Sequence, residues 1–424
     1  MIELPADFIE RMKKTCADFN GFLKSYENPP AKAIRVNTLK ISVKDFEKIS
    51  PFSLRQVPWE KSGFYVEGES LGKTVLHAAG LYYVQEPSAM SAVPELEIKS
   101  GEKVLDMCAA PGGKSTQTAQ YLNGEGLLFS NEIEFSRAKI LSGNIERLGV
   151  KNAIVTCCKP EEIAESLPEY FDKVLIDAPC SGEGMFKKEK NAIPEWSVEN
   201  VTRCAERQKH ILNCAAKTLA VGGRMVYSTC TFAPEEDEVQ IENFLNTHPD
   251  FKLIKMKKLL PHEICGEGHF FAVLEKLEGE RCEKPLLSQN VKDKKLLSPY
   301  FEWAKENLTT QFKNLCVVGQ TLYSIPNGAP RTDLQILRSG VRLGDIISNR
   351  FEPSHSLAMC LKYVEAKRIE VDEKTALKYL RGITFDCAES EKGWRVVTHK
   401  GFPLGWCKAV GGVAKNHLPK GLRI

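Results

Sequence analysis

Apolar and polar positions follow two different regimes along this chain. Up to about residue 97, helical stretches such as "ADFIERMKKTCADFNGFLKSY" alternate with short extended ones, "KAIRVNTLK" and "GFYVEG". From about residue 98 the pattern becomes regular. Short apolar runs at "KVLDMCAA", "GLLFSNE", "NAIVTCC", "DKVLIDAP" and "GRMVYSTC" predict strands. Between them "KSTQTAQYL", "EFSRAKILSGNIERLG" and "VENVTRCAERQKHILNCAAKTL" predict helices. Strands alternating with helices imply an α/β fold, a doubly wound and mostly parallel sheet with helices on both faces. Ligands of such sheets sit at the carboxyl ends of the strands. The polar run "LEGERCEKPLLSQNVKDKKL" reads as a linker, and the last piece has short strands with Gly-rich turns. The expected units are 1–97, 98–278, 284–345 and 350–424, since a chain this long exceeds one hydrophobic core.

Composition narrows the class. With 42% hydrophobic and 27% charged residues the chain is an ordinary globular protein, which excludes disorder. The start, "MIELPADFIERMKK", has no apolar signal core, and no apolar run reaches the roughly 18 residues of a membrane span. A cytoplasmic monomer with no membrane contact is expected. The 14 cysteines contain no C-x-x-C pair, so zinc sites of ordinary spacing are not expected and most thiols read as packing. From Arg395 onward come Lys400, Lys408, Lys415, Lys420 and Arg423 with no acid, interleaved with Trp394, Phe402 and Trp406. Cations neutralise phosphate and aromatic faces stack on bases, so this end reads either as an RNA contact or as a solvated face.

The chemistry gathers at strand ends. "VLDMCAAPGGKS" is a strand, a small-residue turn and a helix start, where backbone can approach a ligand. It misses the P-loop pattern because Cys108 stands at the first glycine position. Glu132 ends the next strand, where a doubly wound fold places an acid for ribose hydroxyls. Together they favour an adenosine cofactor, and a loop this tight suits S-adenosylmethionine better than a dinucleotide. Farther on, "DAPCSG" and "YSTCT" end two strands with Cys180 and Cys230. Adjacent strands would bring both thiols to one cleft beside Asp177. A thiolate adding to carbon 6 of a pyrimidine makes carbon 5 able to attack a sulfonium methyl, and an acid near ring nitrogen 3 stabilises the developing charge. Spacing alone leaves open which cysteine attacks.

"DMCAAPGGKS", "DAPCSGEGMF", "CAERQKHIL" and "VYSTCTFAPEEDE" resemble the Nol/Nop/Sun family of RNA (cytosine-5) methyltransferases, and among them the bacterial 16S rRNA enzymes of the RsmF type. "RVNTLK" and "HAAGLYYVQEPSAM" look like the segments preceding that family's catalytic domain. "GHFFAVLEK", "SGVRLGDIISNRFEPSHSLAM" and "GFPLGWCKAVGGVAKNHLPKGLR" look like its C-terminal extensions, the last PUA-like. The resemblance implies a Rossmann-like methyltransferase domain between RNA-binding flanks, acting on 16S rRNA or the 30S subunit. By it, Cys108, Ala109, Ala110, Pro111, Gly112, Gly113 and Lys114 would surround S-adenosylmethionine, and Glu132 would hold its ribose. Asp177 would lie between cofactor and base and contact the cytosine with Lys114. Cys230 would be the nucleophile, and Cys180 would help release the product. Lys159 or the pair Cys157–Cys158 would cap the adenine, although strand packing is the preferred reading of the two cysteines. The same chemistry on tRNA, a P-loop nucleotide-binding protein and a non-catalytic RNA-binding protein are the alternatives. Glu235–Glu238 reads as an acidic helix start. Lys187, Lys188 and Lys190 read as a phosphate contact or a solvated turn, and His262, Cys265 and His269 as a loose, metal-like spacing without a metal.

Overall fold

The computed structural model describes residues 3–189, 191–287, 294–362 and 365–424. In the catalytic unit the five expected strands form as β1 (Lys103–Asp106), β2 (Leu127–Asn131), β3 (Ala153–Thr156), β4 (Phe171–Asp177) and β5 (Leu219–Thr229). Each pairs in parallel with its neighbour, in the order β3-β2-β1-β4-β5. β2 and β3 are buried along their whole length, because helices cover both faces and leave no polar side to alternate with. The helices α1 (Gly113–Leu122), α2 (Phe135–Arg147), α3 (Pro160–Ser166) and α4 (Val198–Thr218) supply that cover. Strand order reverses between β1 and β4, so the loops after these two strands open a cleft at one edge.

Three strands extend the sheet beyond its parallel part. β6 (Phe251–Leu259) and β7 (His269–Lys276) add antiparallel at the β5 edge. "GHFFAVLEK" is thus a strand of the catalytic sheet and not part of an extension. At the other edge β8 (Ile336–Ser339) pairs antiparallel with β3. A strand from the following unit therefore completes the catalytic sheet. The hairpin of Val341–Ile347 with Arg350–Pro353 runs across residues 345–350, where composition suggested a boundary. Backbone pairing, which polarity does not report, holds that region together. Part of the presumed linker is also fixed: Cys282 N–H donates to Glu169 O at 2.9 Å, and Arg281 pairs with Asp172 at 2.6 Å.

The flanks carry their own sheets. Residues 33–84 hold a four-stranded sheet, and residues 368–416 a five-stranded one. These two share a core: Ile34, Phe46 and Tyr82 pack in one cluster with Tyr379, Leu404 and Cys407. Trp406 is 2% exposed, with its indole N–H on Ser354 O at 2.8 Å, and Phe402 packs against the shared core. These two rings are packing residues and not the base-stacking faces that the sequence suggested. Lys400, Lys408, Lys415 and Lys420 remain exposed. No helix among the described residues is long and apolar enough to cross a membrane.

Candidate active site

The turn after β1 is shaped by Gly112, whose φ of +111° a side chain rarely adopts and whose Cβ would meet Leu141 at 3.1 Å. This turn delivers Lys114 into α1, where its ammonium pairs with Asp177 at 2.8 Å from the end of β4. Lys114 is thereby engaged and buried, which removes the phosphate-binding lysine a P-loop reading requires. Around this pair lies a cavity of about 700 Å³, lined by Cys108, Ala110, Glu132, Asp177, Cys180 and Cys230 among others. Ala109 instead donates its N–H to Asn131 O at 2.8 Å, and Pro111 O accepts from Asn144 at 2.9 Å. Gly113 O accepts from Arg35 at 2.6 Å. These residues shape the loop from behind while Cys108 and Ala110 face the cavity.

Electrostatics give the cavity a sign. Burial raises the carboxyl of Asp106 to about 7, and the neighbouring Asp177 and Glu132 push in the same direction. The Cys108 thiol is raised well above its usual range by burial and then by these same three acids. Glu132 is buried, accepts from Glu134 N–H at 3.0 Å and faces Arg137 at 3.4 Å. A cavity that collects carboxylates suits a ligand carrying positive charge. Lys159 and the exposed Ile133 line its far wall. Cys158 is buried in the core cluster under the sheet and is not a cavity residue.

At the opposite wall the two sulfurs meet. Cys180 Sγ lies 3.3 Å from Cys230 Sγ, because β4 and β5 are adjacent and parallel and each ends at its cysteine loop. The hydrogen bond to Cys230 is the largest influence holding the Cys180 thiol well above its ordinary range, with burial next. Either sulfur can donate the hydrogen between them.

The acidic run behind these loops does more than start a helix. Glu236 and Asp237 are buried, and the helix that follows, α5 (Glu238–Thr247), begins only after them. Glu236 Oε2 accepts from Ser181 N–H at 3.0 Å and from Gln208 Nε2 at 2.8 Å, and Oε1 accepts from the Ser181 hydroxyl. Asp237 accepts from Thr229 Oγ1 at 2.6 Å and pairs with Lys258 at 3.0 Å. Glu183 accepts from Arg11, from Trp196 Nε1 at 2.8 Å and from Phe232 N–H at 3.1 Å, which ties the N-terminal helix to the same loops. Sequence reasoning missed these acids. Their one signal is the acidic run Glu235–Glu238 five residues after Cys230; Glu183 stands alone after Cys180.

Other expectations change. Lys187 is buried against Glu267 at 3.3 Å, so it is not free for phosphate; Lys188 is exposed, and Lys190 lies outside the described residues. His262, Cys265 and His269 do not converge. Among the described residues Glu161, His210 and Cys214 are grouped at ligand-like distances, with Glu161 Oε2 3.1 Å from His210 Nε2. His269 is buried, and burial and then Lys114 hold it well below the ordinary histidine range, as a neutral imidazole.

Comparison with known proteins matches four consecutive family models. They are the N-terminal domain of 16S rRNA methyltransferase RsmF (residues 4–87), 16S rRNA methyltransferase RsmB/F (93–274), the RsmF first C-terminal domain (302–361) and the RsmF PUA domain (366–424). The chain is 32% identical to a ribosomal RNA small subunit methyltransferase F of Vibrio vulnificus, over 99% of this chain and 98% of that one. It is 31% identical to the protein of the same description from Shewanella oneidensis, over 100% and 98%. A methyltransferase homologue from Pyrococcus horikoshii superposes with a TM-score of 0.56 at 29% identity, covering 65% of this chain and all of its own.

Proposed function

The chain belongs to the RsmF type of the Nol/Nop/Sun methyltransferase family, and from that premise we propose that it methylates carbon 5 of a cytosine in 16S rRNA, with S-adenosylmethionine as methyl donor. The observation that carries the reading is the pair of sulfurs 3.3 Å apart on the wall of a cavity that also holds Asp177. S-adenosylmethionine fits the cavity on charge: the carboxylates of Glu132 and Asp177 in its lining favour the sulfonium and ammonium groups. Cys108 and Ala110 would border it and Glu132 would take its ribose. When bound, it supplies an electrophilic methyl group.

The remaining steps belong to the chain's own residues. The target base leaves its stack to enter the cavity. Asp177, oriented by the Lys114 ammonium, contacts the ring edge and stabilises charge that develops at ring nitrogen 3. Cys230 adds through sulfur to carbon 6, which makes carbon 5 nucleophilic. Cys180, whose sulfur lies 3.3 Å away, assists breakdown of the adduct by donating a hydrogen bond to the departing Cys230 sulfur.

The test is substitution with two readouts, methyl transfer and a denaturation-resistant protein–RNA band. Cys230→Ala is expected to lower methylation of 16S rRNA at least about 1,000-fold and to give no band. Cys180→Ala is expected to accumulate the band instead. Turnover of Cys230→Ala near that of the unaltered protein would end the nucleophile assignment. Methyl transfer to tRNA with none to 16S rRNA would replace the substrate.

A further inference from the structure

We propose that Glu236 is a positioning residue for this reaction: one buried carboxylate grips both cysteine loops and fixes Cys180 against Cys230 with the thiol hydrogen between them. The proposal rests on the methylation reading above.

The grip is complete in the structure. Glu236 is 0% exposed and holds the amide and hydroxyl of Ser181, the residue after Cys180. It also holds Gln208, whose amide donates in turn to Pro179 O at 3.0 Å, the residue before Cys180. Ser181 Oγ lies 2.9 Å from Thr231 Oγ1, the residue after Cys230. Three of the four residues flanking the cysteines are therefore held by a single side chain, Ser181 directly, Pro179 through the Gln208 amide and Thr231 through the Ser181 hydroxyl. The second helix-side acid, Asp237, holds Thr229 on the other flank of Cys230.

The charge needs a separate reason. The hydrogen-bond partners of Glu236 are neutral: a backbone N–H, a hydroxyl and a carboxamide. Burying an ionised carboxylate without a counter-charge is costly: burial raises the Glu236 carboxyl above its ordinary value, and the hydrogen bonds from Ser181 and Gln208 oppose that rise and favour the charged form. A glutamine could accept the same Ser181 amide and Gln208 bonds and donate to the Ser181 hydroxyl, at a lower desolvation cost. What glutamine lacks is a negative field, and that field falls on Cys180, where it opposes a second negative charge. Cys180 faces Cys230 and Glu236, so the carboxylate keeps the hydrogen on Cys180 and leaves Cys230 as the sulfur that attacks.

In breakdown of the adduct the bond between Cys230 sulfur and carbon 6 breaks, and its electron pair goes to the sulfur. The pair of the carbon 5–hydrogen bond re-forms the ring double bond, and that proton goes to water. Cys230 leaves as the thiolate that began the reaction, and Cys180 keeps its hydrogen and donates it as a hydrogen bond to the departing sulfur. A Cys180 that had already lost its proton could not serve.

Glu236→Gln and Ser181→Ala separate charge from grip. Iodoacetamide at pH 8 without RNA, with Cys180 labelling followed by mass spectrometry, reads the charge. Labelling of Cys180 is expected to be about 10-fold faster in Glu236→Gln and unchanged in Ser181→Ala. With RNA, Glu236→Gln is expected to accumulate the covalent band, and Ser181→Ala to form it at least 5-fold more slowly. Unchanged Cys180 labelling in Glu236→Gln overturns the charge role, and normal adduct formation in Ser181→Ala overturns the grip. If Glu236→Gln does not fold, Ser181→Ala decides the grip, and labelling of the unaltered protein across a pH series decides the charge: Cys180 is expected to react only at higher pH than Cys230, and Cys180 reacting at the lower pH overturns the charge role. If the unaltered protein methylates no cytosine while Glu236→Gln still labels faster, the methylation reading fails and the control of Cys180 stands.

Discussion

Asp106 ends β1 beneath the glycine turn that leads into α1, fully buried, with one oxygen accepting from Ser115 Oγ at 2.6 Å. Burial raises it to about 7, from the ordinary aspartate value of 3.8. An acid raised on folding contributes stability that is fully present below its unfolded value and is lost as pH rises through its folded value. The melting temperature of the unaltered protein is therefore expected to fall, relative to that of Asp106→Asn, between pH 4 and pH 8. Parallel melting curves across that range would refute the assignment. At this scale the sequence was legible where chemistry sits in a short motif at a strand end: Cys180, Cys230, Asp177 and Lys114 all meet at the cleft. It was not legible for Glu236 and Asp237. A run of acids before a helix has a sufficient local explanation in the helix dipole, and only the tertiary fold shows that two of them turn inward.

Elements join through side chains that a strand pattern conceals. Arg35 lies in "KAIRVNTLK", which reads as an extended segment, and its side chain is 0% exposed because it enters the catalytic unit. There it donates to Gly113 O and Thr116 Oγ1, both at 2.6 Å, and to Gln85 and Gln120. Arg35→Met preserves length but leaves these acceptors unpaired, with an expected loss of about 3 kcal/mol in urea unfolding. A change under about 1 kcal/mol would show that the flanking sheet and α1 are not coupled through this residue. The five parallel strands and three of their four helices were readable because each buried run is bounded by a turn; the seven-residue α3 was not. β8 was not, because four residues from a later unit carry no periodicity that names their partner.

Over the whole molecule, the first and last sheets share one apolar cluster although more than 280 residues of chain separate them. Sequence reading treats them as independent flanks, since burial against a distant unit looks the same as burial within one. Deleting residues 366–424 exposes the other half of that cluster, including Ile34, Phe46 and Tyr82. The truncated protein is expected to melt at least about 5 °C lower and to bind a hydrophobic dye. An unchanged melting point would mean that the first sheet keeps a sufficient core of its own. β8 sets a further condition, on the order of synthesis. β3 has no partner on its outer side until residues 336–339 have left the ribosome, so the nascent catalytic sheet carries an open, pairing-competent edge while nearly 200 further residues are made. Synthesis thus passes through an interval in which the growing chain needs protection from its neighbours, and that interval closes with one four-residue strand.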